Sequence, residues 1–204
     1  MVDRPAAGPR LPPVIALGYK ASAEQFGPGE LLGFALDAER RGFDSVAISD
    51  HFQPFRHTGG HAPAALPWLG ALAARSERIR IGTSVSTPTL RLHPSMVAQA
   101  FATLACLAPG RVFLGVGTGE SLNEVPALGI EWPGFGERLA AEEHVRAESR
   151  FIVTGDPDEA VERIAEYAEL GFRHLVFHSP TPDQPRFLRE FAAEVLPRLR
   201  SRYG

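Results

Sequence analysis

Three short segments concentrate side chains that could do chemistry: Ile48-Ser49-Asp50-His51, Gly82-Thr83-Ser84-Val85-Ser86-Thr87 and Gly115-Val116-Gly117-Thr118-Gly119-Glu120. Each follows a strand-like run and precedes a helix-like one. In a parallel α/β barrel the C-terminal strand ends form the active-site face, so polar residues there read as functional. A carboxylate beside an imidazole, as at Asp50-His51, can orient the ring or tune its pKa, and histidine is the usual general acid/base near neutral pH. A polar strand end with His51 merely hydrogen-bonded is the plainer alternative. Glu120 stands open in the same way, as an acid/base group or as the cap of the next helix.

The other candidates are weaker. Gly115, Gly117 and Gly119 form GxGxG, without the third glycine or the downstream acid of a dinucleotide-binding fingerprint. Tight turns explain two of these glycines, and close approach of backbone to a flat ligand explains all three. His51, His57 and His61 lack the helical spacing and the thiols of a metal site, so no metal is expected. Arg150, before Phe151-Ile-Val, could bind an anion, but the chain has many arginines against the single Lys20. Cys106 lies in Phe101-Ala-Thr-Leu-Ala-Cys-Leu and reads as a buried helical thiol, without an internal partner for a disulfide.

The elements that must position these groups alternate. Strand-like runs are Val14–Leu17, ending at Gly18, then Ser45–Ile48, Arg78–Gly82 and Val112–Leu114. Helical periodicity covers Glu30–Arg41, Pro63–Arg75 and Pro94–Leu107. The order argues for a parallel sheet wrapped by helices. It falters over Glu120–Arg150, where helix-like patches such as Glu137–Arg150 come without a convincing strand. It resumes at Asp156-Pro-Asp-Glu159, an N-cap with proline at N1, ahead of a helix that Gly171 stops. His174–His178 is a fifth strand, and Leu188 to Leu199 carries a last amphipathic pattern. Five strands fall short of the eight of a closed barrel.

With 204 residues, 44% hydrophobic and 22% charged, the chain suits one sizeable core. Residues 1–13 read as a flexible tail, and 14–204 as a single domain. A net charge of -3 gives no reason to expect nucleic acid or an anionic membrane as partner. No apolar stretch approaches the ~20 residues that span a bilayer. A cytoplasmic location is expected.

Longer strings carry a resemblance. Leu17-Gly-Tyr-Lys-Ala-Ser-Ala-Glu-Gln-Phe26, Ser49-Asp-His-Phe-Gln-Pro54, His57-Thr-Gly-Gly-His-Ala-Pro63, Gly82-Thr-Ser-Val-Ser-Thr-Pro88, Gln99-Ala-Phe-Ala-Thr103 and Arg111–Glu120 closely resemble the coenzyme F420-dependent glucose-6-phosphate dehydrogenases, within the luciferase-like superfamily of TIM barrels. Asp156–Val161 and His174–His178 match the C-terminal end of that family. The resemblance implies oxidation of glucose 6-phosphate at C1, with hydride transfer to F420, in a homodimer. It implies that His51 and Glu120 are the acid/base pair. Asp50, Ser84, Val85, Thr87, Thr118, Gly119 and Asn123 would bind the cofactor, with Ser84–Val85 a non-proline cis peptide beneath the deazaflavin ring. Phe55 and Arg150 would face the substrate, Arg150 at its phosphate.

Two departures qualify this. Phe55 stands where the family has a tryptophan, so a ring remains without its indole N–H. Near Leu139–Arg146 the chain jumps over what would be strands five to seven. In the family that part supplies a Gly-rich loop for the cofactor tail, and a threonine and two lysines for the sugar phosphate. The expected fold is therefore an incomplete TIM-type barrel of five parallel strands, open or distorted, with the last strand beside the first. Its two free edges would expose backbone groups to pairing with another chain. An F420-dependent dehydrogenase of an unphosphorylated alcohol and a non-catalytic remnant are the alternative functions; an FMN-dependent monooxygenase fits the motifs less well.

Overall fold

The structure, a computed structural model, describes residues 15–87, 91–117, 119–129, 131, 156–179 and 182–203. The expected tail, Thr118, Arg150 and the patch at 137–150 lie outside the described residues. Five parallel strands form one sheet: β1 (Ala16–Ala21), β2 (Ser45–Ile48), β3 (Arg80–Thr83), β4 (Val112–Phe113) and β5 (His174–Phe177). Their order is β4-β3-β2-β1-β5, so the last strand lies beside the first, in the register Ala16 opposite His174 and Tyr19 opposite Phe177. Among the described residues β4 and β5 are the edges, and the sheet stays open.

Helices cover the outer face: α1 (Pro28–Arg40), α2 (Ala65–Arg75), α3 (Pro94–Leu107), α4 (Ser121–Leu128), α5 (Pro157–Glu169), α6 (Gln184–Glu190) and α7 (Leu196–Tyr203). A π-helical turn, Phe191–Val195, joins the last two. Alternate strand residues turn outward onto these helices. Tyr19, fully buried on β1, meets the rings of Phe43 and Phe187 at 6.3 and 6.5 Å. Leu17, Val46, Ile48 and Ile81 continue that layer, at zero exposure. On α3 the buried stripe is Val97, Phe101 and Leu104, which leaves Cys106 off it and exposed rather than buried.

Gly18 does not end β1 as its type suggests. The strand runs through it to Ala21 because the position needs a residue without a side chain. A Cβ there would lie 2.2 Å from Ser45 Oγ. In that space Ser45 of β2 passes over β1 and meets His174 Nε2 of β5 at 2.6 Å. His174 in turn stands edge-on to Phe113 of β4, with ring centroids 5.0 Å apart, and the Arg80 guanidinium lies 5.8 Å above the Phe113 ring. Side chains from the two edge strands thus touch across the inner face. The sheet keeps the curl of a barrel with five strands among the described residues.

Candidate active site

All the described candidates gather at the C-terminal strand ends. Asp50 and His51 follow β2, Ser84 to Thr87 follow β3, and Gly119 and Glu120 follow β4. His51 stands between two carboxylates. Its Nε2 is 3.3 Å from Glu120 Oε1, and its Nδ1 is 2.6 Å from Glu24 Oε1. Both atoms of the Nδ1 contact are shielded from solvent. Phe55 closes one side of the imidazole, with centroids 4.9 Å apart.

Glu120 occupies the N-cap position of α4 without capping it. Its carboxylate turns to His51 and takes a 2.5 Å hydrogen bond from Asn123 Nδ2, so the cap reading is not met. Asn123 is 1% exposed, and its Oδ1 accepts from the backbone N–H groups of Phe52 and Gln53 at 2.8 and 3.1 Å. It therefore ties the loop after His51 to the helix that carries Glu120.

Asp50 lies beneath this pair, buried. It accepts from Ser86 Oγ at 2.9 Å and stands 3.2 Å from Arg91 Nη2. The Ser84–Val85 peptide is cis, as the resemblance implies. The Ser84 carbonyl accepts from Lys20 Nζ of β1. Burial lowers the Lys20 pKa, and the charge of Glu24 opposes that. Thr87 is buried, and its methyl would meet a Cβ at Gly119 at 3.0 Å.

The glycine repeat has a structural cause. A Cβ at Gly115 would lie 2.3 Å from the Thr83 carbonyl oxygen, and one at Gly117 would lie 2.5 Å from Val85 Cγ2. Gly119, at φ +84°, faces Thr87. Residues 115, 117 and 119 thus oppose 83, 85 and 87, and the bridge between Ser86 and Val116 holds the two loops side by side. The alternation serves chain-to-chain approach. The surface it leaves is a shelf of exposed apolar side chains, Val85 and Val116, beside Asp50 and Ser86.

Glu24 is the residue that sequence reasoning missed. With β1 read as ending at Gly18, Glu24 lay well beyond a strand end, whereas the strand reaches Ala21 and puts it on the rim. Burial pushes its carboxyl upward, but hydrogen bonds from His51, its own backbone N–H and Ser49, with the His51 charge, hold it down to about 2. Glu24 is thus ionised near neutral pH. A depressed pKa gives stability that is present above the ordinary carboxylate value of 4.5 and is lost as pH falls towards 2. Wild-type protein is expected to lose more stability than Glu24→Gln over that interval, measured by urea unfolding at several pH values. Parallel curves for the two proteins would refute the assignment.

A cavity of about 590 Å³ opens beside Glu24, lined also by Gln25, Phe26, Phe55, Arg56, Gly59 and Pro182. That volume suits a small metabolite. Among the described residues no group of three histidine, cysteine, aspartate or glutamate side chains could hold a metal, and no helix is long and apolar enough to cross a membrane.

Residues 13–147 match the family model described as luciferase-like monooxygenase. The F420-dependent glucose-6-phosphate dehydrogenase of Beutenbergia cavernae is 38% identical over 332 aligned positions, which cover 93% of this chain and 98% of the relative. A chain of 204 residues leaves more than a third of those positions without a counterpart. The protein of the same name from Rhodococcus erythropolis is 62% identical over 128 residues, 62% of this chain and 38% of that one. Among solved structures, an F420-dependent secondary alcohol dehydrogenase in complex with an F420-acetone adduct superposes with a TM-score of 0.58 at 37% identity, over 70% of this chain and 46% of that structure. The chain thus spans a little under half of that structure. This chain belongs to the luciferase-like family, in its branch of proteins named F420-dependent glucose-6-phosphate dehydrogenase.

Proposed function

We propose that the rim built by Asp50, His51, Ser84, Val85 and Glu120 is the ring-binding half of an F420-dependent sugar-phosphate dehydrogenase site. The observation that carries this is His51 held between Glu24 and Glu120 beside an exposed apolar shelf. The residues present fit a flat, hydrogen-bonding ring. Val85 and Val116 offer it apolar surface, and Asp50, Ser86 and the backbone of Gly119 offer polar contacts at its edge. Thr87, Thr118 and Asn123 complete the set that the family resemblance assigns to the cofactor. Bound there, F420 supplies the hydride acceptor.

The protein's own part is orientation and proton transfer. Glu24 is ionised, so it takes no proton itself; it stabilises positive charge on the imidazole from the Nδ1 side. His51 Nε2 is then the basic nitrogen, suited to take the proton of the C1 hydroxyl as the C1 hydride leaves and the lactone forms. Glu120, 3.3 Å from Nε2, would give one proton on the cofactor side, which balances the proton that His51 takes from the hydroxyl. The sugar lies in the cavity beside Glu24, with the Phe55 ring on one wall and the Arg56 guanidinium available to an anionic group. Arg150 would add to the phosphate site.

A second reading keeps the cofactor and replaces the substrate with an unphosphorylated alcohol. The single lysine favours it, as does the alcohol dehydrogenase among the structural neighbours. Fluorescence titration of the purified protein with F420 and with FMN tests the cofactor class. Saturable binding of F420 at lower concentration than FMN is expected, and preference for FMN would overturn the proposal. Glucose 6-phosphate and simple secondary alcohols, added to the F420 complex, distinguish the two substrates.

A further inference from the structure

We infer that Arg91 is a positioning residue for the proton-transfer pair, acting through Asp50 and Glu124; the inference rests on the proposed role of His51 and Glu120. Arg91 follows β3, and its side chain is 15% exposed. Its Nη2 lies 3.2 Å from Asp50 Oδ2 and also donates to the Asp50 backbone carbonyl. Its Nε lies 3.7 Å from Glu124 Oε2, on α4. Asp50 is the residue before His51, and Glu124 lies one helical turn after Glu120. One guanidinium therefore joins the loops after β2, β3 and β4 at the positions next to the two groups that must meet.

The arrangement is electrostatically sensitive. Two buried carboxylates share one cation, and Arg91 Nε and Glu124 Oε2 are shielded from solvent with no hydrogen-bond partner among the described residues. Breaking such a cluster by removing one member leaves an uncompensated buried charge, which costs more than the intact cluster contributes. Glu124 is faced by Arg91, Asp50, Glu120 and His51 together. Burial and the two carboxylates raise its pKa, and Arg91 and His51 oppose that. Without Arg91 the Asp50 and Glu124 carboxylates repel each other, the β2 and β4 loops separate, and the 3.3 Å approach of His51 to Glu120 opens.

The test uses the whole chain as Arg91→Met, Glu124→Gln and the double variant. Its readouts are thermal stability, the His51 titration by NMR (assigned with His51→Asn) and F420 affinity by fluorescence. Arg91→Met is expected to melt lower, to shift the His51 midpoint and to weaken F420 binding about tenfold. In the double variant one of the two orphaned charges is gone and Asp50 keeps its Ser86 hydrogen bond, so the melting temperature recovers in part while the His51 shift and the weak binding remain. Full recovery of all three readouts would overturn the inference, because Arg91 would then only neutralise Glu124. An unchanged His51 titration in Arg91→Met would overturn it too. If the wild-type protein fails to bind F420, the proposed function falls, and the His51 titration still decides the role of Arg91.

Discussion

Mixed with F420 and glucose 6-phosphate, the purified protein is expected to turn over at least about 10²-fold more slowly than a full-length relative under the same conditions. Catalysis needs cofactor and sugar held together in near-attack geometry, and a misplacement of ~1 Å can cost about 10²-fold. The chain retains the groups for the ring and for proton transfer. It lacks the segment that the resemblance assigns to the cofactor tail and to most of the phosphate clamp. Charge-assisted hydrogen bonds are the strong ones, and two ammonium groups on a phosphate are hard to replace. Lys20, the only lysine, is committed to the Ser84 carbonyl beneath the ring site. Among the described residues Arg56 lines the cavity as a cation open to the substrate, and the resemblance assigns Arg150 to the phosphate. A steady-state rate within tenfold of the full-length enzyme would refute this expectation, and would mean that a second subunit or other residues of this chain supply the missing groups.

Gly82→Ala is expected to destabilise the protein by about 3 kcal/mol, the upper end of what overpacking a tight site costs. A Cβ at Gly82 would lie 2.1 Å from the Phe113 carbonyl oxygen and 2.7 Å from its ring. Neither is the free end of a flexible side chain, so the β3–β4 pairing itself must give. That pairing has two registered positions, Ile81 with Val112 and Gly82 with Phe113, and one of them is the substituted residue. Its loss would release the loop that carries Glu120 and the ring that packs on His174. Gly33→Ala is the control: it sits exposed in α1 with nothing within 4 Å of the added Cβ, and the change should be neutral or stabilising by up to about 1 kcal/mol. Urea unfolding measures both. Equal midpoints for the two variants would contradict the packing argument.

Much of this architecture was legible before the structure. Strand ends rich in glycine and small polar residues located the rim, and five strand-like runs matched the five strands to within a few residues. Asp156 caps α5 as its type implies, accepting from Asp158 N–H at 2.9 Å. What periodicity could not show were contacts across the sheet. Gly18 looks like a stop in one dimension and is a crossing point in three, because Ser45 and His174 belong to strands on either side of it. The same misreading hid Glu24. The α4 helix was obscured by its shortness and by Pro126, and its buried polar residues, Asn123 and Glu124, serve the site rather than an apolar stripe. Cys106 shows the converse error, since an apolar neighbourhood in sequence does not reveal which side of a helix faces inward.

The pairing of β1 with β5 joins residues 16–19 to residues 174–177, nearly the two ends of the described chain. During synthesis the first four strands leave the ribosome while one whole side of β1 still lacks its partner. Until His174 emerges, Ser45 has no imidazole to meet across Gly18, and Phe113 has no ring to stand against. Closing so long a loop is slow, although its entropic cost grows only logarithmically with length. A ribosome stalled before residue 174 would therefore hold a chain with an open central strand, and such an edge is a template for pairing with a neighbouring nascent chain. The fifth strand is the lock on the first, and that lock cannot turn until residues 174–177 have emerged.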